Sequence, residues 1–337
     1  MHIGRQYTLV EFLYWSRYDS YWILGGAVVP TAAYQLLGFS WLAMPWVPIA
    51  LIGTAAAFIA GFRNNATYSR AWESRQIYGG IVNTSRTWAL QVLDFIRASA
   101  AFDDERARAA RTQLVHRHIA WLTALRFQLR QPRPWESTQL ANNVEYQQQH
   151  FTVPERMEDV RDALRAVVDP AEYPEVLAAS NRATRLIALQ GRQLATLHAD
   201  GVFDSYHHVA LERTLSELYE HQGRCERIKN YPYPRQYATI SKFFIRLFIS
   251  LTPLGLLTEF GRLGPWQGWL TIPAAFLIGW VFNAMDRIGE ATENPFEGNA
   301  NDTPITTLSR TIEIDLRELL GEAHIPSPLA AQDNIQI

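Results

Sequence analysis

Four runs in this chain are too long and too apolar for surface or turn, and they limit what it can fold into more than any other feature. YWILGGAVVPTAAYQLLGF (Tyr21–Phe39) and the run Trp46–Phe62 carry no charge from end to end. Trp266–Met285 is also free of charge, and Phe243–Leu257 is interrupted only by Arg246 near its start. A helix needs about 20 mostly apolar residues to cross a hydrocarbon core, with about 17 as the lower limit. Pro30, Pro48, Pro253 and Pro273 lie inside the runs, where a soluble helix would break but a membrane bundle tolerates them. Trp15, Trp22, Trp41, Trp46, Trp266, Trp269 and Trp280 gather mostly near the run ends, as in the aromatic belt of a membrane interface. The expected architecture is an all-α integral membrane protein with four transmembrane helices. A large soluble helical core is the competing reading, since two of the runs are short or interrupted.

Charge sets the orientation. Most of the 31 Lys and Arg lie between Arg63 and Lys242, whereas the connector GFSWLAMPW has no charge and TEFGRLG has one of each sign. Cationic segments stay on the cytoplasmic side. The chain therefore divides into a cytoplasmic N-terminal segment (1–20), two spans (21–62), a cytoplasmic helical region (63–242), two more spans (243–287) and a cytoplasmic C-terminal segment (288–337). Both ends fall in the cytoplasm and two tight hairpins face outward. MHIGRQYTLVEFLYWSRYDS lacks the core and cleavage site of a secretory signal.

The central region is helical in period, with breaks at QPRPWESTQ, FTVPER, VDPAEYPE and HADGVF. Asp204–Ile228 is predicted to bury Val209, Leu215, Leu218 and Ile228 on one stripe. Near the C-terminus, Asp302-Thr303 is placed to cap a helix in which Leu308, Ile312, Leu316 and Leu319-Leu320 recur at helical spacing. PSPLAAQDNIQI reads as a loose tail.

Signals of catalysis are thin. Cys225 is the only cysteine, which excludes an internal disulfide and a cysteine-based metal site. His116 and His118 diverge on a helix, His207-His208 are adjacent, and two His at i, i+4 around a carboxylate do not occur. Each His reads best as structural. Phosphate-binding and nucleophile-elbow motifs are missing, and Gly79-Gly80 marks a close helix contact. The net charge of −2, with acids interspersed among the arginines, argues against nucleic acid as a partner. Neither an enzyme nor a cofactor is expected.

The second run carries the most specific pattern. Thr54, Phe58 and Phe62 stand at i, i+4, i+8 on one stripe. Gly53, Ala57 and Gly61 form a second, of the small-xxx-small type that allows backbones to approach. A ring of copies with small flanks packed and bulky stripes facing the axis would make a hydrophobic constriction, which gates by dewetting. On spacing alone, lipid or a neighbouring helix suits the Phe pair better. The helix then runs without a stop from FIAGF into RNNATYSRAWESR, out of an apolar environment into a polar one.

Three blocks carry a family resemblance: FRNNATYSRAWESRQIYGGIVNTSR (62–86), GRCERIKNYPYP (223–234) and ENPFEGNANDTPITTLSRTIEIDL (293–316). In order, with four runs around them, they resemble the signature blocks of bestrophins in their bacterial form. The resemblance implies a homopentameric ion channel of the bacterial inner membrane, with one axial pore and spans continuous with a cytoplasmic helical region. It implies a pore neck at Thr54, Phe58 and Phe62. Thr54 departs from the aliphatic residue usual there, and its hydroxyl would make that level more wettable. Arg63 and Arg70 would lie in the vestibule, with Glu73 placed to neutralise Arg70 as an i, i+3 pair. Animal members bind Ca²⁺ with an acidic run after NPF. Here that run is EGNAND, which leaves Glu297, Asn299 and Asp302 as degenerate positions, so no metal is expected. Asp302 would then be the helix cap. A second constriction is implied within Asn181–Leu197, at no particular residue. The permeant monovalent ion is left open between chloride or other anions and Na⁺ or K⁺. A non-conducting membrane scaffold with a partner-binding cytoplasmic region is the alternative.

Overall fold

A computed structural model of the chain describes residues 1–98, 102–264 and 266–337. Among them the regular structure is helical, and the two antiparallel bridges, His2 with Ile335 and Gln332 with Ile335, are isolated. α1 (Leu9–Leu37) starts well before the first apolar run because Thr8 and Glu11 form a reciprocal capping box, and it stops at Gly38, whose φ of 72° suits a residue without Cβ. α2 (Trp46–Phe95) is unbroken over 50 residues, about 75 Å at 1.5 Å per residue. That is more than twice a hydrocarbon core of about 30 Å.

α3 (Asp104–Arg130) is capped by Asp103. α4 (Ala141–His150) and the short α5 (Pro154–Met157), α6 (Val160–Arg165) and α7 (Tyr173–Ala178) occupy the stretch where Pro and Gly-like breaks recur. α8 (Arg182–Ala199) and α9 (Ser205–Asn230) start at Asn181 and Asp204, whose side chains accept from backbone N–H groups three residues on. α10 (Arg235–Gly261), α11 (Thr271–Thr292) and α12 (Ile305–Leu320) complete the chain.

Three helical stretches are long and apolar enough to cross a membrane: Ser40–Phe95, Arg235–Gly261 and Gln267–Thr292. The run in α1 falls outside this group, diluted by Tyr21, Tyr34 and Gln35. It still buries Ile23 and Ala27 against the others. α10 and α11 pack on each other, and each packs on both α1 and α2. The α10/α11 pair therefore lies between α1 and α2, with the open sides of α10 and α11 facing opposite ways.

Two apolar clusters share α2. One joins Ile49, Ala56 and Ala60 to Ile245, Phe248 and Ile249. The other, larger one runs from Ile77 through Trp88 and Trp121 to Leu218 and Leu316. Each depends on a close approach: a Cβ on Gly53 would lie 2.5 Å from the Phe248 ring, and one on Gly80 would lie 2.6 Å from His221. The expected contact at Gly79-Gly80 is therefore made by Gly80.

Two expectations fail here. Val209 is exposed, because the buried stripe of α9 is Leu211, Leu215, Leu218, Gln222 and Cys225, and Val209 points about 200° away from Leu211. The C-terminal residues are not loose. Ile335 and Ile337 are buried with Phe151 and Val153, and the backbone N–H of Ile3 donates to the Asn334 carbonyl at 2.8 Å. The two ends of the chain lie side by side.

Candidate functional site

Along α2 the buried positions Ile49, Gly53, Ala56, Ala60, Arg63, Thr67 and Ser74 make one face, turned to the rest of the protomer. Thr54, Phe58 and Phe62 stand on the other. Phe58 is 67% exposed and Phe62 62%, and their rings meet edge to face with centroids 4.5 Å apart. Thr54 is exposed beside the Phe pair, and its hydroxyl donates to the Ala50 carbonyl at 3.0 Å. Of the predicted second stripe, Gly53 packs on Phe248 within the protomer while Gly61 is open.

The charges that follow the Phe pair are not arranged as expected. Arg63 is not a vestibule group. It is 4% exposed, pairing with Asp286 and, at 2.8 Å, with Glu293. Burial of a guanidinium requires such partners; α11 supplies Asp286, and Glu293 is the residue that caps its end. Nor does Glu73 neutralise Arg70. Glu73 pairs with Arg227 of α9, while Arg70 donates to the backbone carbonyls of Glu293, Ile228 and Tyr231. The Asn64 amide donates to the Met285 carbonyl at 2.9 Å, and Thr292 donates to Thr67. The polar residues of this block bind α2 to α11 and to the end of α9.

The loop Asn294–Thr303 is locked by its own carboxylates. Asp302 does not cap α12, whose start has no side-chain cap. Its oxygens instead accept from the backbone N–H of Phe296, Gly298 and Thr303, and from Arg130 Nη1 at 2.7 Å. This holds Phe296 at φ 70°, a conformation that bulky residues rarely adopt, with its ring buried. Glu297 is fully buried and accepts from Ser137 N and Oγ and from Asn299 Nδ2. Burial raises its pKa to about 7 against those donors.

Calcium needs six to eight oxygens with carboxylate charge to spare. Here the lone pairs are filled by N–H and O–H donors, Asn299 Nδ2 also occupies the Ala291 carbonyl, and the Arg130 guanidinium stands against Asp302. The donor set does not fit a divalent cation.

Below this loop, Lys229 pairs with Glu136 and Arg126 with Glu155, all near the end of α3. Spacing gave no hint of these pairs, because the partners lie far apart in the chain. His118 is buried against Ser85 Oγ at 2.9 Å and pushed down to about 3 by desolvation, so it is a neutral core residue. The helix expected to carry a second constriction, α8, buries Leu186, Leu189 and Leu194 and exposes Ala188, Arg192, Ala195 and Thr196.

The family model described as bacterial/fungal bestrophin protein matches residues 21–318. A voltage-dependent anion channel-forming protein of Ralstonia nicotianae is 29% identical, over 85% of this chain and 80% of its own length. One from Escherichia coli K12 is 27% identical over 86% and 82%. The crystal structure of a bacterial bestrophin homologue from Klebsiella pneumoniae superposes with a TM-score of 0.74 at 24% identity, covering 91% of this chain and 99% of that one.

Proposed function

The chain belongs to the bacterial and fungal bestrophin family, and on that footing we propose that it is a passive channel for small monovalent anions. The observation that carries the reading is the open face of α2, where Phe58 and Phe62 stand together on a helix continuous from the apolar bundle into the polar region. A ring of copies turning these faces inward would form a dry constriction opening into a wet vestibule. Selectivity for anions is inferred from the relatives described as anion channel-forming. It is supported by Arg70, whose hydrogen-bond partners are carbonyls rather than carboxylates.

In this reading the ring is a pentamer in the bacterial inner membrane, with α1, the first part of α2, α10 and α11 as the four spans. The adjacent chain ends lie on the cytoplasmic side, and residues 63–242 form most of the cytoplasmic portion. Thr54 is the outer level of the neck. The filled carboxylates of Glu297 and Asp302 make conduction independent of calcium, and the protein acts as a channel rather than an enzyme. Flux from liposomes tests the proposal. Purified protein should release chloride faster than empty vesicles, and Phe58→Ala and Phe62→Ala should speed release further. Flux no greater than that of empty vesicles for all three proteins would favour the scaffold reading.

A further inference from the structure

A cavity of about 860 Å³ opens between the end of α3, residues 131–133, the stretch from α5 to the start of α6, and the entry to α8. No residue of α2 is in its wall, so it stands apart from the open face that carries Phe58 and Phe62.

Four arginines line this cavity: Arg130, Arg133, Arg156 and Arg182. Arg130 is matched by acids. It is buried, pairs with Asp302 at 2.7 Å and has Glu155 at 4.0 Å from its Nε. Among the described residues the other three have no carboxylate in ion-pairing reach. Arg133 donates to the Asn230 side chain at 2.8 Å, and Arg156 donates to Gln147 Oε1 and to the Glu297 carbonyl. The Arg182 side chain makes no hydrogen bond among those residues, and the Nε of Arg133, Arg156 and Arg182 is in each case buried without an acceptor. A buried donor left unpaired costs free energy, and so does gathering like charges. Burial, followed by the nearby Arg130 charge, holds the Arg156 guanidinium below its ordinary pKa.

The acids of the wall do not offset these cations. Glu155 accepts from Arg126 and from the Thr306 hydroxyl. Asp159 caps α6 through the Arg161 N–H, and Glu158 is exposed at the rim. Arg182 is also the first residue of α8, whose 18 residues bring a positive helix end to the same rim as Ser180.

This wall suits an oxyanion. Guanidinium forks match the oxygens of phosphate and bind them with paired, charge-assisted hydrogen bonds. The volume is that of a small-molecule site, far larger than a halide needs, and Phe127 and Met157 give it an apolar side. We propose that the cavity binds a phosphate-bearing anion, with the phosphate taken by Arg133, Arg156 and Arg182 and any organic part lying against Phe127 and Met157. The phosphate belongs either to a soluble cytoplasmic compound or to a lipid headgroup. Its binding ties the end of α3 to the start of α8, and it requires no conduction through α2.

Calorimetric titration of inorganic phosphate into the full-length protein in detergent, with ionic strength held constant by KCl, tests the site. The wild type should give saturable binding, and Arg133→Ala and Arg182→Ala should each weaken it about tenfold or more. In phosphate-free buffer Arg182→Ala should unfold no earlier than the wild type, because its guanidinium has no partner within the protein to lose. Phospholipid carried through purification is measured in the same samples. Lipid kept by the wild type and lost from Arg182→Ala would identify a headgroup as the source, whereas binding of free phosphate without such lipid would identify a soluble one. Phosphate binding that both variants leave unchanged would overturn the proposal. So would a wild type that neither binds phosphate nor keeps lipid through Arg182, or an Arg182→Ala protein that unfolds earlier without phosphate. Liposome flux plays no part in these readouts, so the channel reading stands or falls separately.

Discussion

Phe62 and Arg63 are neighbours in sequence and stand on different faces of α2, about 100° apart. The Phe62 ring stands on the open face, edge to face with Phe58, while the Arg63 guanidinium is buried between Asp286 and Glu293. The helix thus anchors itself with one residue and presents an apolar side chain with the one before it. The lip of the candidate neck is held in place by the ion pairs behind it.

Removing the ring of Phe58 is expected to widen and wet the constriction. Single-channel current through Phe58→Ala should exceed that of the wild type several-fold, and Thr54→Val, which replaces the hydroxyl with a methyl, should lower it. Unchanged currents in both variants would place the pore on another face of α2.

Arg63→Ala would leave the buried Asp286 without its cation and Glu293 with Arg235 alone. Breaking such a cluster costs about 3–5 kcal/mol, so the protein in detergent should unfold at a clearly lower temperature, with Arg63→Lys intermediate. A vestibule charge would behave differently, changing ion preference while leaving the unfolding temperature at the wild-type value.

The block FRNNATYSR shows how much of this could be read beforehand. The continuity of α2, the Phe pair and the helical character of the chain follow from periodicity and from the lack of a stop signal. The burial of Arg63 does not, because its partners Asp286 and Glu293 come from the far end of the sequence. A lone arginine after an apolar run reads equally well as a vestibule charge or as half of a buried pair. Asp302 misled in the same way, since an Asp before a helix is a cap by local rules. Arg130, from α3, and the tight loop around Phe296 claim its oxygens instead. The docked C-terminus escaped notice because Ile335 and Ile337 are too few to show a period.

Glu297 should give the fold a measurable pH dependence. Its carboxyl is raised from 4.5 to about 7 by burial, so the folded protein holds that proton more tightly than the unfolded chain. Its contribution is complete below about pH 4.5 and is lost as pH rises through about 7, amounting to about 3 kcal/mol. Glu297→Gln keeps the neutral form at every pH. The difference in unfolding temperature between this variant and the wild type should therefore widen in the variant's favour from pH 5 to pH 8. A difference that stays constant over that range would mean that Glu297 titrates as an ordinary carboxyl.

Gly53 is where α2 and α10 touch most closely, with no room for a Cβ beside Phe248. Gly53→Ala should cost about 1–3 kcal/mol by overpacking and lower the unfolding temperature. Adding Phe248→Leu should recover part of the loss, as expected of residues in contact. Strictly additive losses in the double variant would show that the two do not meet.

The central claim, that the chain conducts anions, is tested most directly by the reversal potential of purified protein in a planar bilayer under a KCl gradient. The expected result is a current that reverses near the chloride equilibrium potential and keeps that sign when K⁺ is replaced by a large organic cation. A reversal near the potassium equilibrium potential, or a bilayer that stays silent with well-assembled protein present, would contradict it.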